Sequence, residues 1–350
     1  MARRALVLFA ALASVAVIAA SGSAGAKTYT WHDTPTGTTA HLRGVAAISS
    51  TTAWASGYVG TVLRTVDGGA TWQQVGPPGT QNLQFRDIEA FDADHAVIMS
   101  VGANPSDFRI YVTADGGQHW ALTFVNAEPA AFYDCMTFFD KKRGLALSDP
   151  PDGQKFRMIA TGDGGYSWHV VDPVGMPPAL PGEAGFAASG ECITSDHGHR
   201  AWFGTGGSAV ARVFRSDDRG QTWTVVPTPM PAGPTSGING LAFRGEQHGI
   251  AVGGDFFAPT ASPNPKVWSR DGGSTWNLAA TPQEYRSGVA WVDGHTAVAV
   301  GISGSDVSYD GGVTWTKFDG TSLDTVDCAN PNACWAAGAG GRVAYLVRTH

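Results

Sequence analysis

The chain repeats one pattern of short apolar and polar segments along almost its whole length. Each unit starts with an apolar run such as "RGVAAI" or "RDIEAF" and continues with a second run that ends in glycine, such as "AWASG". An alternating segment such as "TVLRTV" follows. Alternation of apolar and polar residues between Gly, Asp and Pro predicts short β-strands joined by tight turns. Each unit therefore predicts four antiparallel strands.

A second repeated feature, the motif Ser/Thr-x-Asp-x-Gly-x-x-Trp, lies before the last strand of each unit, as in "RTVDGGATW". Its aspartates are 48, 48, 55, 53 and 39 residues apart. A repeat of this length with four strands is typical of a β-propeller blade. The motif positions are Asp67 and Trp72, Asp115 and Trp120, Asp163 and Trp168, Asp218 and Trp223, Asp271 and Trp276, and Asp310 and Trp315.

This motif is the Asp-box, and its residues suit a structural turn better than an active site. The carboxylate and the hydroxyl can accept hydrogen bonds from turn amides. Glycine permits a positive φ, and the indole ring can pack between blades. We interpret the six aspartates as turn anchors rather than catalytic acids.

The two chain ends together predict one further blade. "KTYTWHDTPTGT" aligns with "GATWQQVGPPGT", with Trp31 in the place of Trp72. The C-terminal "CWAAGAGGRVAYLVRTH" supplies strands and stops where another motif would begin. We therefore predict an all-β fold, a seven-bladed β-propeller of four-stranded blades. Pairing of the N- and C-terminal strands closes the ring and leaves no open sheet edge.

The first 26 residues have the features of a secretory signal peptide. Arg3 and Arg4 precede an apolar run over residues 5–20, and small residues at 24–26 form a cleavage site. We predict a single propeller over residues 27–350, without a membrane span and either secreted or periplasmic.

Composition and charge narrow the classes of partner. The chain has 46 Gly, 20 Pro and 12 Trp, which favours β structure, and a formal net charge of −7. An acidic export product is a poor candidate for general nucleic-acid binding. No zinc-type cysteine spacing or complete nucleotide-binding loop is present, so we expect no metal and no cofactor. We also expect a monomer.

Four cysteines are consistent with export, because disulfides form outside the cytoplasm. Cys328 and Cys334 bracket the turn sequence "ANPNA", so we predict that they pair. Cys135 and Cys192 would then form the other disulfide, although sequence alone does not fix the connectivity.

The segments "TVLRTVDGGATW", "AWFGTGG", "ARVFRSDDRGQTWTVV", "GIAVGGD" and "YRSGVAWV" are similar to bacterial secreted relatives of the photosystem II stability/assembly factor family. This resemblance covers the chain from residue 27 onward and implies the propeller fold. Sialidases share the Asp-box but carry Phe-Arg-Ile-Pro on the first inner strand. Here that place reads His41-Leu42-Arg43-Gly44, which keeps only the arginine.

Propeller geometry places the inner-strand starts around the channel mouth, on the face opposite the Asp-boxes. Three arginines and two tyrosines fall at such starts and are predicted to bind ligand: Arg43, Arg86, Arg286, Tyr133 and Tyr285. Long connections at 173–191 and 255–266 map to the same face. Guanidinium groups suit carboxylate, sulfate or phosphate.

Two functions are compatible with such a mouth. The first is a binding or assembly module that recognises an anionic glycan or protein segment. The alternative is a glycoside hydrolase or lyase that acts on an acidic glycan, with Asp149, Glu183 and Asp255 as candidate catalytic carboxylates. Such enzymes need two carboxylates roughly 5 to 10 Å apart.

Overall fold

The computed structural model describes residues 28–349 and shows seven four-stranded antiparallel sheets arranged around one channel. The predicted all-β seven-bladed propeller is confirmed. The predicted signal peptide lies outside the described residues. No helix in the described part of the chain is long and apolar enough to span a membrane.

Blades 1 to 6 each use four consecutive strands, ordered from the channel to the outer edge. The strands of blades 1 to 3 are β2 (Leu42–Ala47), β3 (Ala53–Gly57), β4 (Val62–Thr65), β5 (Gln73–Gln74), β6 (Gln84–Ala90), β7 (Ala96–Val101), β8 (Arg109–Thr113), β9 (Ala121–Val125), β10 (Tyr133–Phe138), β11 (Gly144–Ser148), β12 (Arg157–Thr161) and β13 (His169–Val170). The strands of blades 4 to 6 are β14 (Ile193–Ser195), β15 (Ala201–Gly204), β16 (Arg212–Ser216), β17 (Thr224–Pro227), β18 (Ser236–Arg244), β19 (His248–Asp255), β20 (Lys266–Ser269), β21 (Asn277–Leu278), β22 (Gly288–Trp291), β23 (Ala297–Gly301), β24 (Gly304–Ser308) and β25 (Thr316–Asp319).

Blade 7 is built from both ends of the chain. Its strands are β26 (Thr325–Asn330), β27 (Ala333–Ala337), β28 (Val343–Thr349) and, at the outer edge, β1 (Thr28–Thr34). Strand β1 runs antiparallel to β28, from Thr28 opposite Thr349 to Thr34 opposite Val343. Trp31 is buried, and its Nε1 donates to Ser305 Oγ of blade 6 at 2.9 Å. The predicted closure of the ring by its terminal strands is thus confirmed.

The six repeated turns share one hydrogen-bond pattern. In the first turn, Gly69 N donates to Thr65 Oγ1 at 3.0 Å and Thr71 N donates to Asp67 Oδ1 at 2.9 Å. The other five aspartates accept the same bond, at 2.8 to 2.9 Å, from the backbone N–H four residues later: Asp115, Asp163, Asp218, Asp271 and Asp310. These carboxylates are therefore occupied in holding turns.

The motif tryptophans fill the spaces between blades. The ring of Trp72 lies 5.8 Å from the ring of Trp335 on blade 7, in an edge-to-face contact. Trp223, Trp276 and Trp315 are buried, and each donates its indole N–H to a carbonyl of its own turn. An indole that is buried and also hydrogen-bonded locks the turn to the inter-blade core.

Four inner strands begin with a β-bulge at the same position, and this irregularity positions the site. On blade 1, Leu42 faces Gly57 and Gly44 faces Ser56, so Arg43 is the extra residue. The equivalent extra residues on blades 2, 3 and 5 are Arg86, Asp134 and Asn239. A bulge breaks the alternation of the strand and re-aims the side chain of the extra residue. In all four blades that side chain lines the mouth of the channel.

Two disulfides are present. One joins Cys328 on β26 to Cys334 on β27, across the hairpin. The other joins Cys135 on β10 to Cys192, at the end of the connection between blades 3 and 4. This connection, residues 171–192, is named here the 3–4 connector. The second disulfide fixes its last residue to the inner strand of blade 3.

Candidate functional site at the channel mouth

A pocket of about 580 Å³ opens at the channel mouth, on the face opposite the repeated turns. We call it the mouth pocket. Its polar lining consists of His41, Arg43, Arg86, Asp134, Asp149, Asn239, Tyr285 and Asp324. Its large apolar lining residues are Phe132, Phe186, Phe256 and Ile302. A concave pocket that combines apolar walls with convergent polar groups is typical of a ligand site.

The 3–4 connector forms the floor of the mouth pocket. Its residues Ala187 and Ala188 lie across the channel, and their carbonyl oxygens accept hydrogen bonds from Arg43 and Arg86. Deeper in the channel, Glu191 accepts from the backbone N–H groups of Val289 on blade 6 and Val326 on blade 7. The connector is therefore held on several sides, and the pocket has a closed, rigid base.

Arg43 and Arg86 lie side by side on the pocket wall. Arg43 Nη2 and Arg86 Nη1 both donate to Ala187 O, at 3.1 and 3.3 Å. Within residues 28–349, neither guanidinium forms an ion pair with a carboxylate. Burial, followed by the positive charge of Arg43, lowers the pKa of Arg86. Two neighbouring cations that form no direct ion pair make a site suited to an anion.

A pair of buried carboxyl groups, Asp134 and Asp149, occupies another part of the wall. Burial raises the pKa of Asp149 to about 6, and Gly185 N donates to its Oδ1 at 2.7 Å. Burial raises the pKa of Asp134 further, and the charge of Asp149 adds to this effect. Asp134 Oδ2 is buried and has no hydrogen-bond partner within the described residues, which disfavours the ionised form of this carboxyl group.

The structure does not place Arg286 at the mouth. On blade 6, Gly288 pairs with Val300, and Ser287 N donates to Val300 O. Gly288 therefore corresponds to Gly44 of blade 1, and Ser287, not Arg286, corresponds to the bulged Arg43. Arg286 falls one residue earlier, where other blades have buried apolar side chains: Leu42, Phe85, Tyr133 and Ile238. It is fully buried within blade 6 and bonds Asp306 Oδ1 at 2.8 Å. A shift of one residue turns a strand side chain to the opposite face.

Of the two predicted tyrosines, only one lines the mouth pocket. Tyr285 lines the mouth pocket, and burial raises its pKa above the usual range. Tyr133 packs between blades 2 and 3, with its ring 5.3 Å from that of Phe124 on blade 2, and burial raises its pKa to about 12. Tyr133 does not line the mouth pocket.

The three candidate catalytic carboxylates are not brought together. Asp149 lines the pocket, but Glu183 is buried in an ion pair with Arg212 and also accepts from Thr205 Oγ1 at 2.6 Å. Asp255 accepts the backbone N–H of Phe257 at 2.9 Å, within its own loop. Asp149 interacts instead with Asp134, which also lines the pocket. The three candidates thus have separate partners and do not form the carboxylate pair of a glycosidase.

Several lining residues escaped the sequence analysis. Asn239 and Asp324 stand at the inner-strand starts of blades 5 and 7, and an alignment of those starts would have found them. Asn239 Oδ1 is buried and has no hydrogen-bond partner in the described part of the chain. Asp324 Oδ2 lies 2.9 Å from His41 Nε2. Phe186 and Phe256 belong to irregular connections, whose path no strand pattern predicts.

Below the connector, a second cavity of about 380 Å³ is lined by carboxyl groups, among them Asp87, Glu191 and Asp327. Burial raises the pKa of Asp87 to about 7 and that of Glu191 to about 8. Asp87 Oδ2 accepts from Met136 N at 2.6 Å, and Asp327 Oδ2 accepts from Ala47 N at 2.8 Å. These side chains satisfy backbone N–H groups on the channel edge of a neighbouring blade, which explains their position.

Comparison with known proteins adds information on the fold. No protein-family model matches the chain, and no curated protein matches it. The solved structure of YCF48 bound to a D1 peptide is similar, with a TM-score of 0.63 and 15% sequence identity, over 91% of this chain and 94% of that chain. YCF48 from Cyanidioschyzon merolae gives a TM-score of 0.63 and 16% identity, over 91% and 98% of the two chains.

The WD40 β-propeller domain of Doa1 is also similar, with a TM-score of 0.59 and 11% identity, over 91% of this chain and 97% of that chain. At these identities the likeness establishes the propeller fold alone. The resemblance to photosystem II assembly factors seen in the sequence agrees with the YCF48 structures at the level of fold.

Proposed function

We propose that this propeller is a binding module whose mouth pocket takes an anionic segment of another protein. The observation that carries the proposal is the pair of guanidinium groups of Arg43 and Arg86. They converge on one pocket, and neither forms a direct ion pair among the described residues, in a chain of formal net charge −7. Arginine forks bind carboxylates with two parallel hydrogen bonds, which gives both affinity and orientation.

Two further features favour a peptide chain as the occupant. The free Oδ1 of Asn239 can accept a hydrogen bond from a peptide N–H, and a buried acceptor without a partner is costly until it finds one. Among the similar structures, YCF48 is bound to a D1 peptide. A propeller of this architecture can thus receive a protein segment, and we extend this property to the mouth pocket of the present chain.

The test is a binding measurement with synthetic peptides. The chain from Lys27 onward is titrated against fluorescent decapeptides with blocked ends, each with one central glutamate in varied apolar and polar surroundings. Arg43→Ala and Arg86→Ala are each expected to weaken the binding of glutamate peptides about tenfold or more. A charge-assisted hydrogen bond contributes about 1.5–3 kcal/mol, and 1.4 kcal/mol corresponds to a factor of ten.

Arg348→Ala serves as the matched control. It removes the same charge from the exposed end of β28, away from the mouth pocket, and is expected to leave the affinity unchanged. Peptides with glutamine in place of glutamate should bind as weakly to the unmodified protein as the glutamate peptides bind to the arginine variants. Binding that is insensitive to Arg43 and Arg86, or no binding by any peptide, would refute the proposed function.

We propose further that the protein works outside the cytoplasm. The sequence features of residues 1–26 and the two disulfides support this location, since disulfides persist in oxidising compartments. The N-terminus and mass of the exported chain, which should begin at Lys27, provide the check.

A further inference from the structure

A row of three phenylalanines leads from the mouth pocket to solvent. Phe186, on the 3–4 connector, and Phe256, on the loop between β19 and β20, both line the pocket, and their ring centroids are 5.7 Å apart. The ring of Phe257 follows at 4.8 Å from that of Phe256. Phe257 is 78% exposed. We call these three residues the phenylalanine row.

The loop that carries Phe256 and Phe257 is tied in place. Asp255 N donates to Ser262 Oγ at 3.0 Å, and Ser262 Oγ also donates to Ala258 O at 3.0 Å. Pro259 O accepts from Tyr285 N at 2.9 Å, which joins the loop to blade 6. The exposed ring of Phe257 is therefore presented by an ordered loop rather than by a chain free to fold it inward.

Other large apolar side chains are exposed on the same face. Ile302 and Phe132 line the mouth pocket and are 42% and 36% exposed, and Val59 is 61% exposed on the neighbouring loop of blade 1. The guanidinium of Arg86 lies 5.9 Å from the ring centroid of Phe132. Cationic and apolar surfaces thus adjoin each other within one concave site. Clustered exposed apolar groups of this kind mark interaction surfaces.

We infer that the protein segment received by the mouth pocket carries a large apolar side chain close to its anionic residue, and that the phenylalanine row binds this side chain. The inference rests on the proposed function and adds the chemical class of the segment. The anion lies against Arg43 and Arg86, and the apolar side chain covers Phe256 and Phe257.

The shape and charge of the surface favour this occupant. The row descends into a cavity of about 580 Å³ instead of forming a flat rim, which suits a segment with projecting side chains better than a lipid surface. Positive charge on one wall is complementary to a carboxylate, and the aromatic wall is complementary to an adjacent apolar group. Aromatic anchors in pockets dominate the affinity of most protein interfaces.

The test compares three blocked decapeptides: one with glutamate next to phenylalanine, one with glutamate next to serine, and one with glutamine next to phenylalanine. Phe257→Ser is expected to weaken binding of the glutamate–phenylalanine peptide about five- to tenfold. It should leave binding of the glutamate–serine peptide unchanged, because that peptide has no side chain for the row. Phe257 is largely exposed, so this substitution should not impair folding.

Tyr166→Ser is the matched control, since Tyr166 is 51% exposed in a repeated turn on the opposite face. It should not alter the affinity for any of the three peptides. Arg43→Ala should weaken the binding of both glutamate peptides, which distinguishes the anion site from the contact with the phenylalanine row. Binding that depends on Arg43 but not on Phe257 would overturn the inference and leave the proposed function standing.

Three other results would also overturn the inference. The first is sedimentation showing a dimer that Phe257→Ser dissociates, which would make a second copy of the chain the occupant. The second is Phe257-dependent binding to phosphatidylcholine vesicles that exceeds the binding of every peptide. The third is a failure of all three peptides to bind, which would overturn the proposed function as well.

Discussion

Asp306→Ala is expected to reduce the free energy of unfolding by about 3–5 kcal/mol. The Asp306 side chain is fully buried and lies 2.8 Å from both Arg286 Nη2 and Lys266 Nζ, which are themselves fully buried. Burial lowers the pKa of Lys266 to about 8, although the charge of Asp306 acts in the opposite direction. Removing the carboxylate leaves Lys266 without an ion-pair partner in the interior, while Arg286 keeps only the partly exposed Glu284, 3.2 Å away. The desolvation cost of these buried cations is what destabilises the fold.

Urea unfolding followed by tryptophan fluorescence would measure the loss. Asp94→Ala is the matched control, because Asp94 pairs with Arg64 at 3.2 Å while its side chain remains 61% exposed. An exposed pair contributes about 0–1 kcal/mol. A loss below about 1 kcal/mol for Asp306→Ala would show that the buried cations are solvated or lose their charge at little cost.

A triple variant separates the charge from the packing. Arg286→Leu restores the apolar residue found at this position in blade 1, and Lys266→Met with Asp306→Leu removes the remaining charges. A buried ion cluster replaced by apolar residues of similar volume is often as stable as the original. We expect the triple variant to regain most of the stability that Asp306→Ala loses.

The architecture could be predicted from the sequence because each blade repeats the same local physics. The Asp67-type turns recur at fixed offsets, and the alternating strands between them have only one way to bury their apolar faces. The splitting of blade 7 also followed from the sequence, since Trp31 matches Trp72 in a segment that precedes the first complete unit. Such features depend on repeated local motifs that the sequence displays directly.

The site was predictable only in part, because its geometry depends on bulges and on an irregular connection. The bulges that aim Arg43 and Arg86 into the channel shift the register by one residue. The sequence alone assigned Arg286 to the mouth, whereas the pairing register aligns it with the buried Leu42 of blade 1. The path of the 3–4 connector, which brings Phe186 and the floor carbonyls into the pocket, is set by contacts distant in sequence and by the Cys135–Cys192 disulfide.

The affinity of the mouth pocket for a glutamate peptide is expected to fall about 10- to 100-fold between pH 5 and pH 8. Because burial raises the pKa of Asp149 to about 6 and that of Asp134 further, the pair holds its protons at pH 5. As the pH rises through about 6, one negative charge appears on the Asp134–Asp149 pair, within the same pocket as Arg86. Two unit charges about 6 Å apart at an effective dielectric constant of about 20 interact by about 3 kcal/mol, so this charge opposes the carboxylate of the peptide.

The direction of the change follows from linkage. An anionic ligand favours the protonated pair and raises its pKa, so binding takes up protons and weakens as protons become scarce. The peptide glutamate is largely ionised from pH 5 upward and does not reverse the trend. The measurement is made in a His41→Gln background, which removes the imidazole that lines the pocket beside Asp324.

Asp149→Asn in that background provides the decisive comparison. The asparagine keeps an oxygen to accept the N–H of Gly185 but cannot gain or lose a proton in this range. Its affinity should be nearly constant from pH 5 to pH 8 and close to the low-pH affinity of the parent. An equal slope in both proteins would assign the pH dependence to other groups. Binding that strengthens with rising pH would contradict the predicted repulsion between the ionised carboxyl pair and the carboxylate of the peptide.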